Sequence, residues 1–243
     1  MINLGINGAR GKIGQRIMSL ALADSNYGVS FGLERQGHPE IGKTISGVVI
    51  TDDCEKISDC ECFVDFTCPA ATLNCLSYLV KYDKPVVIGT TGFDEEGRNR
   101  IAEASKNIPI VFSPNMSVGV NVLFKLLLQA SEILKGYRVS IEEAHHVHKK
   151  DAPSGTAKEI ARIINSKGLS VKPESIKSIR EDEIIGDHKI IFKSDVDSLE
   201  LCHSAKTRDI FVQGALVACS WVKDKCPGLY SMDNVLSQRI SKV

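Results

Sequence analysis

The segment EAHHVHKKDAPSGTA, residues 143–157, concentrates side chains that can move protons. It contains His145, His146 and His148, half of the six histidines of the chain, and Lys149 and Lys150 follow them. Histidine titrates near neutral pH and can serve as a general acid, and lysine can donate a proton or balance a carboxylate. The pattern favours a proton-transfer site. A metal site would need a third ligand at suitable spacing, and a solvated polar loop is the remaining alternative.

A helix start comes directly after this cluster. Ser154, Gly155 and Thr156 precede isoleucines at helical spacing, which predicts a helix over 154–165. The first N–H groups of a helix attract anions, Gly155 allows close approach, and the hydroxyls can add hydrogen bonds. Thr156 and Glu159 also fit a capping box. The segment therefore indicates a carboxylate or phosphate pocket, with an ordinary helix cap as the alternative.

The opening motif NGARGKIG has a different chemistry. Gly8, Gly11 and Gly14 lie between a predicted strand and helix, where a glycine turn and a helix N-terminus can hold a pyrophosphate. The next predicted strand ends in Glu34, 20 residues after Gly14 (34 − 14), where dinucleotide folds place a carboxylate against the adenine ribose. Arg35 follows and suits the extra phosphate of NADP. NADPH or NADH is therefore the expected cofactor, with the choice between them open.

The elements around these motifs predict an α/β chain in two parts. Apolar runs at 2–6, 29–33, 62–67, 84–89 and 108–113 alternate with helical patterns, including 70–81 and 95–105, which is typical of a parallel sheet. After residue 115 we expect a helix at 118–134, a strand at 137–144, an antiparallel strand pair at 188–193 and 198–205, and a helix at 209–222. His188 and His203 on that pair are interpreted as structural residues, with the rim of a substrate site as the alternative.

Composition excludes several classes of protein. Thirty acidic and thirty basic residues balance, so no global charge would recruit nucleic acid or an anionic membrane. The beginning, MINLGING, lacks the features of a secretory signal, and no stretch is apolar enough to span a membrane. The eight cysteines contain no C-x-x-C pair and are expected to be free thiols. We therefore expect a cytoplasmic protein.

Taken together, these residues resemble the family of dihydrodipicolinate reductases, also called 4-hydroxy-tetrahydrodipicolinate reductases. The resemblance extends over nearly the whole chain, and the long histidine–lysine segment is its most specific part. The segments that carry it are NGARGKIG, LERQG, DFT, VIGTTGF, NMSVGVN, EAHHVHKKDAPSGTA, GDH and HSAKTRDIFVQGAL. It implies NAD(P)H-dependent reduction of 4-hydroxy-tetrahydrodipicolinate to tetrahydrodipicolinate in diaminopimelate and lysine biosynthesis.

The order of the predicted elements, together with the resemblance, implies a domain organisation. A Rossmann-type dinucleotide-binding domain would occupy 1–116, with 208–243 packing back on it. A smaller α+β domain with a mixed or antiparallel sheet would occupy 117–207, bind the small dicarboxylate substrate and form a homotetramer through its sheet.

Residue roles follow by matching positions. His145 matches the acid/base residue and Lys149 the proton donor, while His146, Gly155 and Thr156 match substrate-binding positions, to which we add Ser154 for its hydroxyl. The cofactor-binding positions matched are Gly8, Ala9, Arg10, Gly11, Lys12, Ile13, Glu34, Arg35, Gly89, Thr90, Thr91, Ser113, Pro114, Asn115 and Met116. No metal site is expected.

Three positions depart from the family pattern. Arg10 stands where a small residue is usual, Lys12 where arginine is common, and Met116 where phenylalanine is frequent. Two other functions remain as alternatives: a related amino-acid or aldehyde dehydrogenase, the latter requiring a nucleophilic cysteine such as Cys68, or a non-enzymatic NADP(H) sensor.

Overall fold

A computed structural model of the protein describes the backbone of residues 1–240 and the side chains of residues 1–237. The chain forms two compact units, one from Met1–Ser117 together with the segment that begins at Phe211, the other from Val118–Ile210. None of the helices within residues 1–240 has the length and apolar character needed to cross a membrane.

The first segment of the chain alternates strands and helices, as its apolar runs predict. Its elements are β1 (Ile2–Asn7), α1 (Lys12–Leu22), β2 (Tyr27–Leu33), β3 (Thr44–Ile45), β4 (Val48–Thr51), β5 (Cys62–Asp65), α2 (Pro69–Lys81), β6 (Val86–Ile88), α3 (Glu95–Ala104) and β7 (Pro109–Phe112). A short 3₁₀ helix, Cys54–Asp59, connects β4 to β5. The β3–β4 hairpin was not predicted, because β3 is only two residues long.

The second unit contains two helices and a four-stranded sheet. Its elements are α4 (Val118–Ile133), β8 (Arg138–His145), α5 (Gly155–Asn165), β9 (Lys177–Arg180), β10 (Gly186–Lys193) and β11 (Ser198–Ala205). The strand order is β11-β10-β8-β9, with β10 antiparallel to both neighbours and β9 parallel to β8. The sheet is therefore mixed, which confirms the expected class. Its apolar face packs on α4 and α5 through a core that includes Leu127, Ile141, Ile160 and Phe192.

The chain ends with α6 (Asp209–Val222), β12 (Gly228–Tyr230) and α7 (Met232–Ile240). β12 pairs in parallel with β7 and completes an eight-stranded sheet of order β12-β7-β6-β5-β1-β2-β4-β3. Only β3 runs antiparallel to its neighbour, so the first unit is a Rossmann-like α/β fold, as predicted. The central strands β1, β5 and β6 are almost entirely buried, and their carboxyl ends carry the motifs of the glycine turn, DFT and GTT.

Candidate active site

The glycine turn closes tightly over the start of α1. Gly8 has a φ of 68°, and a Cβ on Gly14 would lie 2.0 Å from the carbonyl oxygen of Gly8. Only glycine therefore fits at position 14, and Gly8 adopts a conformation that other residues rarely take. Gly11 caps α1, and no side chain caps the helix. The first N–H groups of α1 are thus positioned to bind an anion rather than a protein side chain.

A cavity of about 960 Å³ lies beside this turn in the first unit. Gly8, Glu34 and Arg35, three of the residues assigned to the cofactor from the sequence, line this one cavity. One carboxylate oxygen of Glu34 accepts the backbone N–H of Arg10 at 2.7 Å, which fixes Glu34 against the turn. The sequence did not indicate the rest of the lining, which comes from the loop after β4, the loop between β5 and α2, and α2 itself: Asp52, Asp53, Thr67, Cys68, Asn74 and Tyr78.

The fit to a dinucleotide rests on these features together. The cavity has the size of a ligand site, a backbone that approaches without Cβ atoms, an uncapped helix start and a carboxylate for ribose hydroxyls. The residues present therefore suit NAD(P)H.

Several of the other predicted cofactor positions have side chains that make internal contacts, whereas Thr91 and Pro114 are exposed. The Thr90 hydroxyl donates to buried Asp65 at 2.9 Å, and a Cβ on Gly89 would lie 2.2 Å from the ring of Phe66. Ser113 donates to the carbonyl of Asn115 at 2.9 Å, and Met116 is buried. These two loops therefore offer mainly backbone groups to a ligand.

The second unit places His145 in a buried polar cluster at the end of β8. The Nδ1 atom of His145 hydrogen-bonds a carboxylate oxygen of Glu143, and the other carboxylate oxygen accepts from Arg180 at 2.9 Å. Glu143 is fully buried and His145 nearly so. The pairing register explains the cluster, because β9 aligns Arg180 with His145. Glu143 and Arg180 were not assigned roles from the sequence.

Burial and charge act in opposite directions on this pair. Burial lowers the pKa of His145 below its usual value, although the neighbouring Glu143 carboxylate opposes that shift. Burial alone would raise the pKa of Glu143, but hydrogen bonds led by the one from Arg180 lower it. Glu143 therefore stays ionised and fixes Nδ1 as the donor of the imidazole, so that Nε2 is the ring nitrogen that Glu143 does not engage.

His188 lies directly against His145. Their rings meet edge to face with centroids 5.3 Å apart, and the ring of His203 follows at 6.4 Å from that of His188. Burial, with a contribution from the charges of His145 and His203, lowers the pKa of His188 to about 4. His188 is therefore neutral at physiological pH and packs against the ring of His145.

The other members of the histidine–lysine segment lie in the loop between β8 and α5. Lys149 forms an ion pair of 2.8 Å with Asp151, whose carbonyl accepts from Arg180 at 2.6 Å. The ammonium of Lys149 lowers the pKa of the Asp151 carboxyl. The Nε2 atom of His146 lies 3.5 Å from Arg208. The loop thus joins Lys149 to the Arg180 cluster through Asp151.

The start of α5 corrects one prediction. Its N-cap is Ser154, whose hydroxyl accepts the N–H of Ala157 at 3.2 Å, so the expected capping box at Thr156 and Glu159 is wrong. Glu159 instead pairs with Arg162 one turn later. The reason is register, because the helix begins two residues earlier than that box requires. Gly155 has open space where a Cβ would stand, and with Thr156 it forms the first turn of the helix.

Three kinds of comparison place the chain among known proteins. Residues 2–116 match the family described as "Dihydrodipicolinate reductase, N-terminus", and residues 119–236 match "Dihydrodipicolinate reductase, C-terminus". The 4-hydroxy-tetrahydrodipicolinate reductase of Thiobacillus denitrificans is 39% identical over 262 residues, covering 97% of this chain and 98% of the relative. That of Geobacter metallireducens is 38% identical over 267 residues, covering 98% and 100%.

A solved structure shares the fold. The dipicolinate-bound dihydrodipicolinate reductase from Paenisporosarcina sp. TG-14 superposes with a TM-score of 0.84 at 23% identity, covering 96% of this chain and 99% of the other. The two family matches together span nearly the whole described chain, and the relatives align along their full length. The chain belongs to the dihydrodipicolinate reductase family.

Proposed function

We propose that the chain is an NAD(P)H-dependent oxidoreductase that reduces 4-hydroxy-tetrahydrodipicolinate to tetrahydrodipicolinate in diaminopimelate and lysine biosynthesis. The observation that carries this function is the buried Glu143–His145 pair held by Arg180, with Lys149 in the adjoining loop, in a member of this family. Bound in the first unit, the reduced nicotinamide would supply the hydride. The protein must then deliver a proton and hold a dicarboxylate.

The proton-transfer role falls to His145 and Lys149. Glu143 accepts from Nδ1 of His145, so the imidazole is held in one orientation with Nε2 as the exchanging atom. Lys149 is partly buried, and Asp151 holds its ammonium in place before substrate binds. A positioned acid of this type contributes about 10²–10⁴-fold to a rate.

The carboxylates of the substrate are assigned to the start of α5 and its surroundings. Gly155 and Thr156 offer the N–H groups of the first helical turn, and Gly155 leaves open space beside them. His146 adds a ring nitrogen from the preceding loop. Ser154 is buried and serves as the helix cap, so its part is to fix the position of that turn.

The predicted cofactor residues are assigned as follows. The turn from Gly8 to Ile13 would hold the pyrophosphate through the N–H groups of Lys12 and Ile13 at the start of α1, because the amides of Gly8 to Gly11 already donate within the protein. Glu34 and Arg35 would bind the adenosine end. Gly89 to Thr91 and Ser113 to Met116 would contact the nicotinamide half through their backbone. The unit over 1–117 is then the dinucleotide-binding domain, and that over 118–210 the substrate-binding and oligomerisation domain. A cytoplasmic homotetramer remains the expected assembly.

The decisive experiment measures cofactor oxidation with substrate formed in place from pyruvate and aspartate semialdehyde by the preceding synthase. The wild type should oxidise the cofactor rapidly. Lys149→Ala should lower kcat by about 10²–10⁴-fold, because it removes the proposed proton donor, and should leave the dissociation constant of the cofactor nearly unchanged.

Lys150→Ala is the matched control, since it removes a neighbouring exposed ammonium. It should retain turnover within about threefold of the wild type, as expected for a surface charge. Equal turnover of the wild type and Lys149→Ala would refute the role of Lys149. Tight cofactor binding without any oxidation would refute the assignment of 4-hydroxy-tetrahydrodipicolinate as the substrate.

A further inference from the structure

The side chain of Arg10 turns away from the nucleotide cavity. Its Nε donates to a carboxylate oxygen of Glu40 at 2.5 Å, and both side chains are largely covered, with 19% and 28% of their surface exposed. Arg10 lines a separate cavity of about 440 Å³ together with Gln15, Met18 and Ile45. It is not among the described residues that line the cavity of about 960 Å³. A cation that belongs to the phosphate-binding turn is thus held on the other side of it.

The charged side chains that line the cavity, at the end assigned to the adenosine, are mainly acidic. Glu34 is fixed there because its Oε1 accepts the N–H of Arg10 at 2.7 Å. Asp52 and Asp53 also line the cavity, and within its described lining Arg35 is the one cation. A carboxylate accepts hydrogen bonds from ribose hydroxyls, whereas a phosphate in the same place meets like charge. Three carboxylates against one guanidinium therefore favour a ribose with free hydroxyls.

We propose that Glu40 determines cofactor specificity by acting through Arg10. By binding the guanidinium outside the cavity, Glu40 keeps the adenosine end acidic and makes the protein select NADH over NADPH. The inference rests on the nucleotide site of the proposed function. Glu40 is a positioning residue, because it touches Arg10 and not the cofactor.

The side chain of arginine is long enough for its guanidinium to point either away from the cavity or towards it. Once the carboxylate of Glu40 is neutralised, the guanidinium loses its partner, and a dianionic 2′-phosphate near the turn becomes the strongest acceptor within reach. NADH has no group at that position to gain from the released cation. Loss of Glu40 should therefore strengthen the binding of NADPH and leave that of NADH unchanged.

The test is direct titration of the full chain with NADH and with NADPH, without substrate, at one ionic strength. The wild type should bind NADH at least about tenfold more tightly than NADPH. Glu40→Gln should reduce that ratio by about three- to tenfold through tighter NADPH binding, the gain expected for one new contact to phosphate. Arg10→Ala should keep the wild-type ratio, since its guanidinium is already withdrawn.

Two further variants isolate the route of the effect. Glu40→Gln combined with Arg10→Ala should return to the wild-type ratio, because the released cation is gone. Glu103→Gln is the matched control: Glu103 forms a surface pair with Lys106, also at 2.5 Å, and the substitution makes the same change in net charge. It should leave both dissociation constants unchanged, and melting curves should show that every variant folds.

Each contrary result has a separate meaning. If neither nucleotide binds the wild type, the proposed function itself fails. If both bind equally, or NADPH binds more tightly, the cofactor assignment survives and the selection of NADH is wrong. If Glu40→Gln changes both constants alike, or keeps its effect without Arg10, Glu40 does not act through Arg10.

Discussion

The glycine turn of the first unit and the histidine cluster of the second prepare their sites by opposite means. The turn depends on backbone, because Gly8 and Gly14 remove Cβ atoms that would collide and α1 begins without a side-chain cap. The cluster depends on side chains that hold one another, with Glu143 buried between His145 and Arg180. A backbone site fails when an atom is added, and a side-chain site fails when a partner is removed. Substitutions in the two regions should therefore have different signatures.

The largest effect is expected from removing the partner of a buried charge. Arg180→Met leaves the carboxylate of Glu143 buried without its cation, which should lower the free energy of unfolding by about 3–5 kcal/mol. Arg138 offers a matched control, because it meets Asp195 at the same 2.9 Å on an exposed surface. Arg138→Met should cost less than about 1 kcal/mol. Urea unfolding at pH 7 measures the loss of unfolding free energy in both variants. Equal losses would show that burial does not make the Arg180–Glu143 pair more important for stability than the exposed pair.

The next effect tests the backbone site. Gly14→Ala places a Cβ 2.0 Å from the carbonyl oxygen of Gly8, so the turn must open, at a cost of about 1–3 kcal/mol in unfolding free energy. Nucleotide affinity should fall at least tenfold, because a loss of about 1.4 kcal/mol in binding free energy already corresponds to a tenfold change. At Gly11 the same atom would stand 3.2 Å from that oxygen, and the backbone there is already extended with a φ of −70°. Gly11→Ala should therefore retain more stability and more nucleotide affinity than Gly14→Ala. A larger loss in Gly11→Ala would show that the contact with the Gly8 carbonyl is not what requires glycine at position 14.

The same contrast explains what the sequence could predict. The strands β1, β2, β5, β6 and β7 and the helices between them are visible as alternating apolar and amphipathic runs, and these set the α/β class. The hairpin β3–β4 and the edge strands β9 and β12 were not predicted, because they are stabilised by pairing with the neighbouring strand rather than by a sequence pattern of their own. The final helix α7 was not predicted either, as its nine residues show only a weak apolar periodicity.

Within the proposed proton-transfer site, the residues assigned to proton transfer were easier to find than the residues that hold them in place. His145 and Lys149 are identifiable because few residue types move protons and the segment groups them together. Glu143 carried a usable signal, since it is two residues before His145 on a predicted strand and must share its face. Arg180 carried none: it reaches His145 only through the parallel pairing of β8 with β9, a contact across 35 residues (180 − 145).

The cofactor side shows the same limit. The glycine spacing and Glu34 follow a known local pattern, but Asp52 and Asp53 enter the cavity from the loop after β4, and Glu40 reaches Arg10 from a loop with no regular structure. Local rules supply the groups that contact a ligand. The tertiary fold decides which charges surround them.

The smallest effect is expected at His188, and it tests whether this ring only packs against His145 or can itself bind a proton in the folded protein. Burial is the main reason that its pKa lies near 4, with His145 and His203 lowering it further and Glu143 and Asp187 opposing the shift. In the unfolded chain a histidine binds its proton near pH 6.5, so below that pH the unfolded state takes up protons that the folded state does not. Stability is therefore present above about pH 6.5 and is lost as the pH falls towards 4. Between pH 7 and pH 5 this group alone should remove about 2 kcal/mol.

His188→Phe keeps a ring beside His145 but removes the titration, so urea unfolding should show a loss between pH 7 and pH 5 that is about 2 kcal/mol smaller than in the wild type. His148→Gln, which replaces an exposed ring, should retain the wild-type dependence. A pH dependence in His188→Phe equal to that of the wild type would mean that the folded protein admits a proton at His188. His188 would then bind a proton in the folded protein, as is proposed for His145, and its role would not be packing alone.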